Sequence, residues 1–148
     1  MKKTALMMIC GLLSCLLLAG CGGSADYKDG TYEGRSEIYQ NDDGTEEGNG
    51  YGVVTITIKD NAFTDVVYKT YEPDGTLKDE DYGKEGGQIA NRDYYNKAQK
   101  AVAACDNYAT QLISSGNIKD VDAVSGATVN YKEFVEAVNR ALEQAVAK

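Results

Sequence analysis

Ser125-Gly126-Ala127-Thr128 is the stretch with the clearest capacity for chemistry. Two hydroxyls flank two residues with little or no side chain. They stand just ahead of a segment, from about Tyr131 to the C-terminus, whose apolar spacing predicts a helix. A helix start offers free N–H groups and the positive end of the helix dipole, so an anion is favoured there. Gly126 and Ala127 let a ligand approach the backbone, and Ser125 and Thr128 supply hydroxyls. These features point to a ligand that carries a phosphate. They fit equally well a helix start in which Ser125 or Thr128 caps a turn, and both readings stand at this level.

Composition narrows the chemistry. The 148 residues include no His. The commonest general base is missing, and with it Ser–His and Cys–His nucleophiles and His-ligated metal or haem. This argues against a hydrolase, and no catalytic residue and no metal ligand is assigned. There are 15 basic and 23 acidic residues, a net charge of -8. Lys2 and Lys3 lie in a segment expected to be removed, which leaves 13 basic against 23 acidic residues and a net of -10. Such a protein repels phosphate backbones, so no nucleic-acid partner is expected. It also repels anionic lipid, so membrane attachment must be hydrophobic or covalent.

The N-terminus reads as a targeting segment. Met1-Lys2-Lys3 is basic, and Thr4 to Gly20 is apolar over 17 residues, a borderline length for a membrane span. The stretch ends Leu18-Ala19-Gly20-Cys21, small residues directly before a Cys, so a cleaved secretory signal is expected over an uncleaved anchor. Those four residues resemble the lipobox of bacterial lipoproteins. That resemblance implies cleavage before Cys21 and lipidation of Cys21, and two or three acyl chains such as palmitate hold a protein stably at a membrane. Cys10 and Cys15 then leave with the signal. Cys105 remains alone on an apolar helical stripe, where a Cys is a core residue.

Gly22 to about Lys28 is a short polar tether. Asp-Gly-Thr occurs at 29–31, 43–45 and 74–76 with no common period, which marks turns rather than a repeat. Residues 32–39 read as a first strand and 41–50 as an acidic, Gly-rich hairpin loop. Tyr51–Lys59 alternates cleanly as a strand, Asp60-Asn61 is a tight turn, and Ala62–Tyr71 returns antiparallel. Pro73-Asp74-Gly75 ends that strand, and Leu77 to Ala90 is polar without a period. Arg92–Ser115 is a helix. Its stripe is Tyr94, Ala98, Ala101, Cys105, Tyr108 and Leu112, taken as packing on the sheet, and Gly116 is its C-cap. For the last helix, Asn130 and Glu133 have capping-box spacing, and Phe134, Val135, Val138, Ala141, Leu142 and Ala145 form the buried face. Strands first and helices later give an α+β class, an antiparallel sheet with helices packed on it. The expected organisation is a signal peptide at 1–20, lipidated Cys and tether at 21–28, and one domain at 29–148.

Asp122-Ala123-Val124-Ser125-Gly126-Ala127-Thr128 resembles the flavinylation motif of the FMN-binding domain: Asp, Gly or Ala, any residue, Ser or Thr, Gly, Ala, then Thr or Ser. Its five most restricted positions match by chance in on the order of one in a thousand chains of this length. Asp29-Gly30-Thr31-Tyr32 looks like that family's usual opening, and Gly50-Tyr51-Gly52 like the start of its central hairpin. Small FMN-binding lipoproteins are the most similar overall. The same domain occurs in flavin-carrying subunits of the sodium-pumping NADH:quinone reductase and the Rnf complex. The resemblance implies that a separate flavin transferase joins the phosphate of FMN to the Thr128 hydroxyl as a phosphoester. Asp122 would position the motif, and Ser125, Gly126 and Ala127 would lie along the phosphate. Larger members carry Glu-Thr-Pro-Gly over the flavin ring; Glu80-Asp81-Tyr82-Gly83 stands at roughly that place, without the Pro. Tyr51 and Tyr82 are the candidate stacking residues.

The expected function is a lipid-anchored electron carrier with covalent FMN, facing outside the cytoplasm, with a flavin transferase and membrane electron-transfer proteins as partners. It is not expected to turn over a substrate of its own. The alternative is a surface binding lipoprotein that keeps the fold without flavin. An oxidoreductase with its own small substrate is disfavoured by the missing His and the lack of a substrate domain.

Overall fold

The computed structural model describes residues 25–147. The expected signal peptide, the cleavage point and Cys21 lie outside them. Strand β2 (Tyr51–Lys59) and strand β3 (Ala62–Tyr71) run antiparallel. Asp60 and Asn61 join them at φ 51° and 60°. Two consecutive left-handed residues match the right-handed strand twist. The turn is tied to the start of the domain: Asp60 N–H donates to Asp29 Oδ1 at 2.9 Å, and Tyr27 N–H to Asn61 Oδ1 at 2.9 Å. Alternation puts Val54, Ile56 and Ile58 inward. In β3 the inward residues are Phe63, Val66, Tyr68 and Thr70, a sequence that changes phase once. The cause is a bulge: the register passes from Thr57 opposite Asp65 to Ile58 opposite Phe63, which leaves Thr64 as the extra residue.

Strand β1 (Gly30–Arg35) pairs with β2 and completes a three-stranded meander in the order β1-β2-β3. It is shorter than the expected 32–39 segment. At Ser36 the ladder is diverted: Ser36 N–H still donates to Gly52 O, but Gly52 N–H donates to Ser36 Oγ at 2.9 Å. A side chain has replaced the backbone acceptor, and pairing resumes only as a single bridge between Tyr39 and Gly50.

Helix α1 (Arg92–Ser115) starts where Asn91 accepts the Tyr94 N–H and stops where Gly116, at φ 67°, donates to Leu112 O. A single 3₁₀ turn follows at Ile118–Asp120. Helix α2 (Thr128–Ala145) begins three residues before the expected start. The capping box therefore does not form. Ala127 is the N-cap, and its carbonyl accepts the Tyr131 N–H. Asn130 is already inside the helix and buried, its amide donating to Ala101 O at 3.0 Å; Glu133 is buried as well. Val135 is only half-buried, while Ala137, absent from the expected face, is sealed.

Both helices cover one face of the sheet, α1 on β3 and α2 on β1 and β2. Phe134 joins the layers: its ring centroid lies 4.8 Å from that of Tyr68 on β3 and 5.6 Å from that of Tyr108 on α1. Aromatic pairs at such distances add to the gain from burial. Helix α2 lies directly on β1 at Gly34, where a Cβ would stand 1.9 Å from Ala137 O and 2.6 Å from Ala141 N. The far end of α2 is fixed by the chain's first described residues, through the Tyr27–Val146 bridge and the Lys28 N–H to Ala145 O bond at 2.8 Å. Gly34→Ala should push α2 off the sheet at a cost of about 2–4 kcal/mol, lowering the melting temperature by on the order of 10 °C in a thermal scan.

Candidate functional site

The segment between the 3₁₀ turn and α2 carries no regular structure, yet α1 fixes it by side-chain bonds. The Gln111 amide clips Asp122 on both sides, accepting its N–H at 2.8 Å and donating to its carbonyl at 3.2 Å. The Tyr108 hydroxyl accepts the Val124 N–H and donates to Ala127 O, each at 3.0 Å. Tyr131 adds a bond to Val121 O at 3.0 Å. Within this clasp Ala127 N–H closes a turn onto Val124 O. Gly126 is third in that turn at φ 83°, a position that strains any residue with a Cβ. Ser125, Gly126 and Thr128 are left facing solvent.

Helix α2 then starts without help. Ala127 offers no capping side chain, and the first turn contains no acid. Among the described residues no side chain caps the open N–H groups, and the positive end of the dipole meets no acid in the first turn. Thr128 Oγ1 makes no hydrogen bond to the described residues. This helix start opens on a cavity of about 340 Å³. Its back wall is α1, where Ala98, Ala101 and Val102 give a low, apolar surface. Tyr39, Gly48, Tyr82, Tyr94, Thr70 and Lys78 also line it. Two lysines lie near it: Lys97 lines the cavity and pairs with Glu47 at 3.9 Å, and the Lys100 ammonium lies 3.6 Å from where a Gly126 Cβ would be.

Two ionisable side chains are buried here, Lys78 on the cavity lining and Glu133 outside it. Lys78 is buried and donates to Gly48 O at 3.3 Å. Burial pulls its pKa below the usual lysine value, against the pull of Glu133. Glu133 is 3% exposed, and neither carboxyl oxygen has a partner among the described residues. Burial pushes its carboxyl up to about 7, with Lys78 opposing. Cys105 is buried, and its thiol is raised to about 11 by burial, which suits the core position expected for it.

Of the residues singled out from sequence, Gly126, Ala127 and Thr128 come together on the cavity wall. Ser125 sits in the turn beside them. Asp122 is held by its backbone, with its side chain exposed and away from the wall. Tyr82 lines the cavity; Tyr51 does not. It faces outward, stacked on Tyr71 at 5.3 Å between centroids with the Arg35 guanidinium 3.7 Å above its ring. The reason is parity: Gly52 and Val54 point inward, so Tyr51 cannot. The residues missed from sequence are Lys78, Tyr94, Lys97, Asn130 and Glu133, with Tyr108 and Gln111 as supports.

A family model described as the FMN-binding domain matches residues 47–143. That span is well over half of the chain and contains the β2–β3 hairpin, α1, the motif loop and all but the last two residues of α2. The chain belongs to the FMN-binding domain family. A crystal structure of a Clostridium perfringens protein shares the fold, with TM-score 0.58 and 20% identity over 81% of this chain and 89% of that one. A solution NMR structure from Clostridium thermocellum aligns at TM-score 0.41 and 23% identity over 79% of this chain and 91% of that one. No curated protein matches the chain.

The geometry suits the cofactor of an FMN-binding domain. An uncapped helix start with lysines nearby accepts a phosphate. The low Ala98–Ala101 surface with Tyr82 and Tyr94 beside it admits a flat ring. The unpartnered Glu133 makes stability depend on pH. A raised folded-state pKa leaves stability intact below pH 4.5, the ordinary carboxyl value, and removes it as pH rises toward 7. Glu133→Gln should match the parent protein in urea unfolding at pH 4 and exceed it by about 3 kcal/mol at pH 8.

Proposed function

We propose that this FMN-binding domain carries its flavin covalently, through a phosphoester between FMN and Thr128 Oγ1, and relays electrons outside the cytoplasmic membrane. The observation that carries this reading is the bare start of α2. Thr128 presents an unbonded hydroxyl at the cavity mouth, next to N–H groups that no side chain caps. A phosphoester there would meet the helix dipole, the Gly126 turn and the ends of Lys97 and Lys100. The absence of His and the lack of a base beside Thr128 argue against self-attachment. A separate flavin transferase with its own metal would supply the activation.

When bound, the flavin supplies the redox chemistry. The chain's own residues hold and shield it. Tyr108 and Gln111 hold the attachment loop in one geometry. The apolar α1 surface, with Tyr82 and Tyr94, would cover a bound ring, and Lys78 would present a cation to it. A covalent bond keeps the cofactor where a free flavin would diffuse away. Cys21, lipidated, would attach the domain to the membrane through acyl chains. The acidic balance of the mature chain favours basic electron-transfer partners.

The full chain expressed with a flavin transferase should be yellow and should keep flavin fluorescence after denaturing electrophoresis. Thr128→Ala should abolish both. Colour retained in that variant would move the attachment elsewhere, and a colourless parent protein would favour the binding lipoprotein without flavin. Tyr108→Phe loosens the clasp and should destabilise the fold by about 1–3 kcal/mol in urea unfolding, with slower flavin attachment in a timed assay. Cys21→Ser should move the protein from the membrane to the soluble fraction.

A further inference from the structure

Near the Thr128 mouth, α2 contributes a buried carboxyl, Glu133, and the β3–α1 connection a buried ammonium, Lys78. Both side chains are almost completely buried, and the Glu133 oxygens have no partner among the described residues. Charge left in that condition is costly. Both fit because glycines lie against them. A Cβ on Gly50 would stand 2.8 Å from Lys78 Nζ, and one on Gly52 would stand 3.1 Å from Glu133 Cβ. Lys78 also lines the cavity, its Nζ 5.0 Å from the centre of the Tyr82 ring. A group that fills the cavity therefore meets the ammonium, while the Glu133 carboxyl lies outside the lining and within the field of that ammonium.

The titratable groups facing Glu133 are Lys78 from the connection, Tyr68 from β3, Cys105 from α1 and Glu136 from its own helix. From β2, Gly52, which has no titratable side chain, lies against it. Burial raises the Tyr68 hydroxyl and the Cys105 thiol, so both keep their protons near neutral pH. Glu136 is half-exposed and paired with Arg140 at 2.7 Å. Glu133 is thus the buried acid whose charge can change near neutrality.

We propose that Lys78 and Glu133 form a charge-compensating pair for the reduced flavin, with the ammonium facing the ring and the carboxylate taking up the balancing proton. This rests on the covalent-flavin reading above. An external electron donor, dithionite in the test and itself oxidised to sulfite, delivers two electrons. The ring takes both with one proton from water and gains one negative charge. A second proton from water forms an O–H bond on Glu133, so two electrons and two protons enter and Lys78 keeps its own. Two negative charges are then never held together in the low-dielectric interior.

Reduced-minus-oxidised infrared spectra of the flavinylated full chain at pH 8 test the pair. A carboxylic-acid C=O band should arise on reduction, shift in D2O, vanish in Glu133→Gln and persist in Glu136→Gln. No band, or a band that survives Glu133→Gln, overturns the proposal. Lys78→Met should lower the equilibrium constant for reduction by roughly tenfold, and Lys78→Arg should restore it; equal constants in parent and Lys78→Met overturn the ammonium's role. The flavin reading fails separately, as a colourless parent protein. Carbon-13 titration of Glu133 in the flavin-free chain still tests the pair. Its midpoint should lie near 7 and rise in Lys78→Met; an ordinary carboxylate midpoint overturns it.

Discussion

The Tyr108 hydroxyl uses both of its hydrogen-bonding roles on one loop. It accepts from Val124 and donates to Ala127, and the residues between them have no other bond to α1. Because Tyr108 is fully buried and its ring stacks on Phe134, that hydroxyl is fixed by the core. Core packing thereby sets the position of a surface turn. The Val124–Ala127 turn fixes Gly126 in its left-handed conformation and aims α2 so that its first residue is Thr128. A loop held only by its own backbone would sample many geometries, and a pre-formed anion site needs one.

The bare helix start gives up a stabilising cap, which contributes about 1 kcal/mol in an ordinary helix. It retains the charge preference that a cap or a first-turn acid would quench. The interior makes a similar concession at Glu133, which is buried without a partner although the sequence could have placed an apolar residue there. These two departures from ordinary helix design lie within the first two turns of α2. Departures of this kind collect where a protein binds something.

Much of the fold was legible in the residues. The alternation of Tyr51–Lys59 and the Asp60-Asn61 turn defined the hairpin, and the spacing from Tyr94 to Leu112 with Gly116 defined α1. What was hidden had specific causes. Nothing local marks the Thr64 bulge, since it is a matter of register between two strands. The shortened β1 depends on a Ser36 hydroxyl meeting Gly52, sixteen positions away. Asn130 and Glu133 had capping spacing, but tertiary packing took both side chains inward and moved the helix start to Thr128. The motif residues were readable because they are contiguous. Lys78, Tyr94 and Lys97 were not, because a polar segment without a period and half of an apolar stripe meet only after folding. In hindsight the smallness of Ala98 and Ala101 was the available signal: that half of the stripe faces a cavity and the other half faces the sheet.

The bridge between Tyr27 and Val146 joins the first described residues to the chain just beyond α2, and Thr128 stands at the helix's other end. Eighteen residues of helix separate the two poles, about 27 Å. Helix α2 is packed along β1 and β2, so it moves with the whole domain. Under the lipid-anchor proposal, a tether entering at Tyr27 would hold that domain at the Val146 pole and leave the Thr128 mouth at the far pole, free to sweep over the orientations the tether allows.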